Sequence, residues 1–155
     1  MQTADLKHGV AEIVQQALIN IGAGSDPDLD PLAGWPVYHD GSPDSPDEMV
    51  TVRETAGVGA GRAMVSGVPA EHHGVQVRVR GRTYSSAKAR ANLIRTLLNE
   101  TAYQTHVALG ANQYLVHCFS AVSGVLPIGE DSKGEPGSAR SVFTINALCP
   151  IRKLS

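Results

Sequence analysis

The fold is decided by one stretch of the chain, residues 75–98, which reads VQVRVRGRTYSSAKARANLIRTLL. Its first part alternates valine with glutamine or arginine, and this period of two is typical of a β-strand. Gly81 interrupts the pattern, and apolar residues then return at the spacing of a helix. Because a strand places alternate side chains on opposite faces, we predict a valine face and an arginine face: Val75, Val77 and Val79 against Arg78, Arg80 and Arg82.

The segments on either side predict an α+β fold, in which a mainly antiparallel β-sheet carries two main helices on one face. The first helix is predicted over residues 5–21, where Thr3 or Asp5 could cap it and Gly22 or Gly24 could end it. The second is predicted over residues 85–99, with Ser85 or Ser86 as its cap. Further strands are predicted over residues 35–39, 48–55, 103–109, 114–122 and 139–150.

The 155 residues match the length of one ordinary domain, so we expect a single domain over residues 1–155. Within it we expect an N-terminal helix over 1–24, an acidic segment rich in proline and glycine over 25–47, and a core of sheet and helix over 48–155. Two long loops are expected in that core, over 56–74 and 124–138. The sequence shows no apolar window of membrane-span length and no secretory signal, so we expect no membrane contact.

The net charge of −2 hides an uneven distribution along the chain. Residues 1–71 carry a formal charge of −8, and residues 72–155 carry +6. Folding alone does not require such a division. The acidic and basic surfaces could pair within one subunit, or they could meet between subunits, as in a head-to-tail ring.

Three patterns suggest chemistry but lack a necessary part. The glycines of residues 57–61 lack the following helix that presents amides to phosphate. Residues 26–30 space three carboxylates like a calcium loop, yet Pro31 and Val37 stand where glycine and glutamate are needed. The adjacent pairs His72-His73 and His117-Cys118 point apart in extended chain. We therefore expect no enzyme activity, no cofactor and no metal, and Cys118 and Cys149 are expected to be free buried thiols in a reducing cytoplasm.

The arginine face has three possible surroundings. It could contact the phosphates of DNA, it could contact the acidic surface of a neighbouring subunit, or it could be exposed to solvent. Interleaved aromatic residues, which stack on the bases of single strands, are nearly absent. The residues alone leave all three alternatives open.

Three motifs resemble those of one phage family. The first is residues 43–47 (PDSPD) followed by the strand 49–53 and Ala56-Gly57. The second is residues 74–81 (GVQVRVRG) with Tyr84 and the alanine-rich helix. The third is residues 127–131 (PIGED) with Gly134, leading into residues 141–146 (SVFTIN). In this order and spacing, over residues 43–151, the chain resembles the minor capsid or tail terminator proteins of long-tailed bacteriophages.

The resemblance implies a small structural protein of the virion, located at the head-proximal end of the tail after assembly in the host cytoplasm. It implies a ring of identical subunits, expected to be a hexamer, that caps the tail tube, ends tube polymerisation and provides a surface for head joining. The implied partners are the tail tube protein and a head-completion or connector protein, while genomic DNA passes through the bore without specific binding. Another head–tail connector or head-completion protein is the alternative, followed by a small nucleic-acid-binding domain.

Combining the resemblance with the charge division, we expect Arg78 and Arg80 at a surface that faces another subunit or the tube, away from the DNA path. Charge reversal at Arg80 is then expected to weaken ring formation or tube capping. The full set of residues expected at such interfaces is Arg78, Arg80, Arg82, Asp44, Asp47, Glu130, Asp131 and Arg140. The two long loops are further candidates for contact with the tube end or the connector.

Overall fold

The structure is a computed structural model that describes residues 6–29, 34–43, 46–62, 69–120, 122–131 and 139–154. Two helices and eight strands occur in these residues. In chain order they are α1 (Val10–Asn20), β1 (Val37–His39), β2 (Met49–Arg62), β3 (Pro69–Gly81), α2 (Tyr84–Glu100), β4 (Tyr103–Leu109), β5 (Asn112–Cys118), β6 (Leu126–Asp131), β7 (Arg140–Cys149) and β8 (Ile151–Lys153).

The strands form two sheets. One has five strands in the order β1-β2-β3-β7-β6, and the other has three in the order β4-β5-β8. β1 and β2 are parallel, and the other neighbouring strands are antiparallel. The predicted α+β class is confirmed, although the strands are divided between two sheets.

The predicted valine face of β3 is buried in the core. Val75, Val77 and Val79 have no exposed surface, and they lie in one hydrophobic cluster with apolar residues of both helices and both sheets. Val77 and Val79 pair with Val52 and Val50 of β2. On the other side, the three valines pair in order with Ala147, Ile145 and Phe143 of β7. The helices therefore cover one face of the five-stranded sheet, and the arginines of β3 project from the other.

The observed ends of α1 can be compared with the predicted capping residues. α1 ends in a Schellman motif, in which the Ala23 amide donates to the Leu18 carbonyl and the Gly22 amide to the Ile19 carbonyl. Gly22 has a φ of +86°, as the predicted end at this glycine requires. α1 begins after Gly9 with no side-chain cap, and the predicted caps Thr3 and Asp5 lie outside the described residues.

α2 begins one residue earlier than predicted, and this changes its cap. Thr83 is the N-cap residue, and its hydroxyl accepts from the Ser86 amide at 3.1 Å. The Ser86 hydroxyl accepts in turn from the Thr83 amide, which completes a capping box. The prediction of Ser85 or Ser86 as the N-cap was therefore wrong, because both already lie in the first turn.

The two expected long loops are largely strand where the structure describes them. β2 continues to Arg62 and β3 begins at Pro69, so the described parts of the expected loop 56–74 are paired antiparallel strands with register shifts near Thr55 and Gly59, and residues 63–68 lie outside the described residues. β6 occupies part of the other expected loop, and residues 132–138 lie outside the described residues. The glycine-rich sequence indicated a loop, but pairing with a neighbouring strand outweighs weak intrinsic propensity.

Gly81 joins the central strand to α2, and its lack of a side chain lets the two approach closely. A Cβ atom here would lie 2.7 Å from the Ala87 Cβ and 2.9 Å from the Ala87 Cα and N. Two of these neighbours are backbone atoms of a capped helix, which cannot move without shifting the helix. The glycine break in the sequence is thus a packing requirement.

We predict that Gly81→Ala lowers the free energy of unfolding by about 1–3 kcal/mol, because the added methyl group overpacks the strand–helix junction. Chemical denaturation followed by circular dichroism measures the change. Gly124→Ala is the matched control, since a Cβ there has no neighbour within 4 Å. An equal effect of the two substitutions would contradict the packing role of Gly81.

Candidate assembly surface

The sheet face opposite the helices, here called the polar face, carries the arginines predicted from the alternation. Two rows of neighbouring residues cross it from strand to strand. One row contains Thr51, Arg78, Thr144 and Leu126, and the next contains Arg53, Gln76 and Asn146. A third row, Met49, Arg80 and Val142, lies at the end nearer α2. The two ends of this face differ in how they are covered.

Arg80 holds a proline-containing loop over one end of the polar face. This proline loop comprises residues 41–47, of which 44 and 45 lie outside the described residues. The Arg80 guanidinium donates from Nη2 to the carbonyls of Pro43 at 2.8 Å and Pro46 at 2.7 Å, and from Nε to the carbonyl of Asp47 at 3.2 Å. Arg80 is only 5% exposed. Its charge therefore serves an intrachain role.

Asp47, at the end of the same loop, brings two more of the predicted residues together. Its carboxylate lies 3.5 Å from Nη1 of Arg140 and 3.5 Å from Nε of Arg82. Arg140 is 2% exposed, whereas the Arg82 side chain is 71% exposed. The exposed pair contributes little to stability because solvent screens it. Removal of Asp47 would cost more at Arg140, because it would take a charged partner from a buried guanidinium.

At the other end of the polar face the proline loop contacts Thr51, where the hydroxyls of Ser42 and Thr51 lie 2.9 Å apart, but no hydrogen bond joins the described part of the loop to Arg78 or Arg53. Arg78 and Arg53 are half-buried, and within the described part of the chain neither guanidinium makes a hydrogen bond or an ion pair. The Nε atom of Arg53 has no accessible surface and no partner among these residues. Beside them, Gln76 donates to the Asn146 side-chain oxygen at 3.3 Å. This end therefore presents two positive charges without a described counter-charge.

The predicted interface residues have several different positions. Arg80 and Arg140 are buried within the subunit, so their guanidinium groups are not presented to another surface. The proposed interface therefore uses the other six predicted residues. Arg78 is half-buried, Arg82 and Glu130 are exposed, and Asp47 is half-buried between its arginines. Asp44 and the side chain of Asp131 lie outside what is described.

Sequence reasoning missed Arg53. It lies on β2, outside the arginine row, and only the pairing of Arg53 with Gln76 places it diagonally next to Arg78. The period of two along β2 could have assigned it to the polar face, but the register between strands cannot be read from either strand alone.

The sequence patterns that resembled a nucleotide or metal site do not form such a site in the described residues. The glycines of residues 57–61 lie in β2, and the next element among the described residues is the strand β3. No group of three or more histidine, cysteine, aspartate or glutamate side chains in the described ranges could hold a metal ion. Of the helices described, none is long and apolar enough to cross a membrane.

The two cysteines differ from each other in burial. Cys149 is buried in β7, and the low polarity around it raises the pKa of its thiol to about 12, with a smaller contribution from Cys118. Cys118 is half-exposed, so the expectation of two buried thiols was wrong for this residue.

A second positively charged group holds the acidic segment on the helix side of the sheet. Arg90 of α2 lies 5.0 Å from the centre of the Trp35 ring, and its Nη1 donates to the Ala23 carbonyl at 3.2 Å. Burial lowers the pKa of Arg90, and the charge of Glu48 partly opposes that shift. A shallow groove of about 260 Å³ lies beside this pair, lined by Trp35, Glu48, Ser86, Ala89, Arg90 and Leu93.

The hairpin of β2 and β3 extends beyond its sheet. β1 pairs only with residues 50–52 of β2, and β7 pairs with β3 only from residue 73 onward. The parts of β2 and β3 at residues 55–62 and 69–72, here called the hairpin arm, therefore pair with no third strand in the described part of the chain. An isolated two-stranded hairpin is marginally stable in water, so the arm is suited to gain stability from contact with another surface.

Comparison with known proteins identifies the class. The family model described as bacteriophage tail terminator protein matches residues 17–136. A solved chain from the virion of a native gene transfer agent particle is 18% identical with a TM-score of 0.42, and the match covers 93% of this chain and 99% of that one. A second solved chain is 13% identical with a TM-score of 0.47, covering 95% and 99%. No curated protein matches the sequence.

The family match covers well over half of the chain, and it defines a structural protein of the phage tail, a component of the virion. The chain belongs to the bacteriophage tail terminator family. The resemblance noted from the sequence motifs is thereby confirmed.

We predict that Arg80→Met lowers the free energy of unfolding by about 2–4 kcal/mol, because three carbonyls lose a charged donor at a buried site. Hydrogen exchange should become faster at the amides of the proline loop. Arg78→Met is the matched control on the same strand, and we expect a change below about 1 kcal/mol there. Similar losses in the two variants would contradict the assignment of Arg80 as the residue that holds the loop.

Proposed function

We propose that this chain forms a ring that caps the head-proximal end of the tail tube, stops further tube polymerisation and provides the surface for head joining. The observation that carries the proposal is the tail terminator family match over residues 17–136. The ring is composed of identical subunits, with a hexamer as the expected form, and genomic DNA passes through its bore without specific binding.

The charge division supports a ring of this kind. In a cyclic assembly each subunit offers one surface to one neighbour and a different surface to the other. The chain carries −8 in its first 71 residues and +6 in the remainder, so a head-to-tail contact can bring opposite charges together. Many modest contacts repeated around a ring then give firm binding through multivalency.

The hairpin arm supports contact with the tube end or the connector. Its exposed base, at Thr55, Ala56 and Gly57, leaves the body of the subunit, and its strands have no neighbour in the described residues except each other. Such an arm can reach an adjacent ring without moving the core of the sheet. Arg82 and Glu130, both exposed, remain proposed contact residues for the subunit or tube interface.

Tail length is the direct test of the terminator function. A phage that lacks this chain should produce tails longer than normal and without heads, because nothing stops tube growth. Electron microscopy measures the length distribution, and the wild-type chain supplied in trans should restore it. Tails of normal length next to heads that leak DNA would instead indicate a head-completion protein.

Hydrogen exchange tests the part played by the hairpin arm. We predict that amides of residues 55–62 and 70–72 exchange quickly in the free subunit and become protected at least about tenfold when it docks on tail tubes. Amides of the buried strand segment 75–79 should change little and are the internal control. Unchanged exchange throughout the arm in docked particles would contradict the proposed contact.

A further inference from the structure

The open end of the polar face combines positive charge with an exposed apolar side chain. Arg78 and Leu126 stand in the same row, separated by Thr144, and Arg53 lies diagonally next to Arg78. Leu126 is 45% exposed. Adjacent like charges on a sheet disfavour the free subunit, so an occupant that suits this end should supply both carboxylates and an apolar group.

The same chain carries a turn of that composition. At residues 26–29 the Asp28 amide donates to the Asp26 carboxylate at 2.9 Å, which closes a tight turn. Asp28 is exposed, and Leu29 at the end of the turn is 84% exposed. The turn thus presents two carboxylates next to a protruding leucine.

Within one subunit, no hydrogen bond or ion pair of the described residues joins these two surfaces. The hydrogen bond from Arg90 of α2 to Ala23 places the start of the acidic segment on the helix side of the five-stranded sheet, whereas Arg53 and Arg78 project from the opposite side. Ser25 forms a bridge with Pro36 at the β1 edge, and Leu126 lies on β6 at the other edge. The sheet itself therefore separates the turn from the open end of the polar face.

We infer that the acidic turn of one copy docks on the open polar face of the next, with Asp26 and Asp28 opposite Arg53 and Arg78 and with Leu29 against Leu126. The contact is heterologous, since each copy uses one surface as donor and the other as acceptor. This inference rests on the proposed ring, and it specifies which surfaces meet there.

The geometry favours a protein carboxylate over the phosphates of duplex DNA. The Nε atom of Arg53 lies below the accessible surface, and an acceptor must come within about 3 Å to bond it. A side chain on a protruding turn can be inserted to that depth, whereas a duplex backbone contacts exposed groups. The apolar pairing of Leu29 with Leu126 also has no counterpart in a phosphate backbone.

A charge swap tests the contact. The double variant Arg53→Glu/Arg78→Glu should weaken self-association by at least about tenfold, and so should Asp26→Lys/Asp28→Lys. A mixture of the two variants should recover most of the lost affinity, because alternating copies then place the aspartate turn on the arginine face and the lysine turn on the glutamate face, and both contacts join opposite charges. Sedimentation velocity measures association, and Lys88→Glu/Arg152→Glu on other surfaces is the control for net charge. Recovery in the mixture also shows that both variants fold.

Cross-linking tests the same contact in assembled tails. In a Cys118→Ser background, which removes the half-exposed native thiol, Leu29→Cys with Leu126→Cys treated with a short bis-maleimide should give a ladder of linked multimers, while either single variant and the pair Leu29→Cys/Arg152→Cys should give none. Absence of the ladder, or failure of the mixed charge variants to associate, overturns the inference. If the arginine variants lose binding to duplex DNA, and mixing them with the aspartate variants restores no self-association, the inference is overturned and the face binds DNA instead.

The experiments distinguish failure of this contact from failure of the proposed terminator function. If the cysteine pair gives no ladder but tails still end at normal length, the contact is wrong and the proposed function stands. If tails end normally without the chain, the proposed function is wrong, and association in solution still decides whether the two surfaces meet.

Discussion

The burial of the valine face of β3 is the constraint on which the rest of the structure depends. Each fully buried valine contributes roughly 1.5–3 kcal/mol, whereas like charges near one another on a sheet cost roughly 0.2–1 kcal/mol per pair. Burial of the valines therefore outweighs the repulsion in the arginine row. A shift of one residue would turn Val75, Val77 and Val79 outward and bury arginines among the helices. The registers with β2 and β7, and the side from which the arginines project, follow from this constraint.

With the arginines placed on one face, their different neighbours give them different roles. Arg80 is surrounded by carbonyls of the proline loop and acts as an internal support. Two residues earlier on the same strand, Arg78 makes no hydrogen bond with the described part of that loop, and the described residues provide no counter-charge. The identical side chain thus stabilises the subunit at one position and carries a charge without a described partner at the other. Hydrogen bonding to a loop, and not charge alone, makes the difference.

Local patterns predicted the fold class, both helices and the two faces of β3, because alternation and helical spacing are properties of contiguous residues. They did not predict the hairpin arm, whose glycines resemble a loop and whose strand character depends on pairing across the hairpin. The sequence also placed Arg80 and Arg140 at an interface, since nothing local reveals that residues near Asp47, far away in the chain, cover them. Arg53 was overlooked for a related reason, because its proximity to Arg78 exists only once two strands are in register.

The stacking of Arg90 on Trp35 has a consequence for how this molecule can be observed. Trp35 is the one tryptophan in the sequence, and it lies where the acidic segment meets α2. Because the chain has a single tryptophan, its tryptophan fluorescence comes from this one junction, where the guanidinium over the indole ring alters the polarity that the ring experiences. Its emission follows the attachment of the acidic segment to the helix layer and does not respond to distant rearrangements. The chain thereby contains its own optical reporter of the segment that carries the acidic turn.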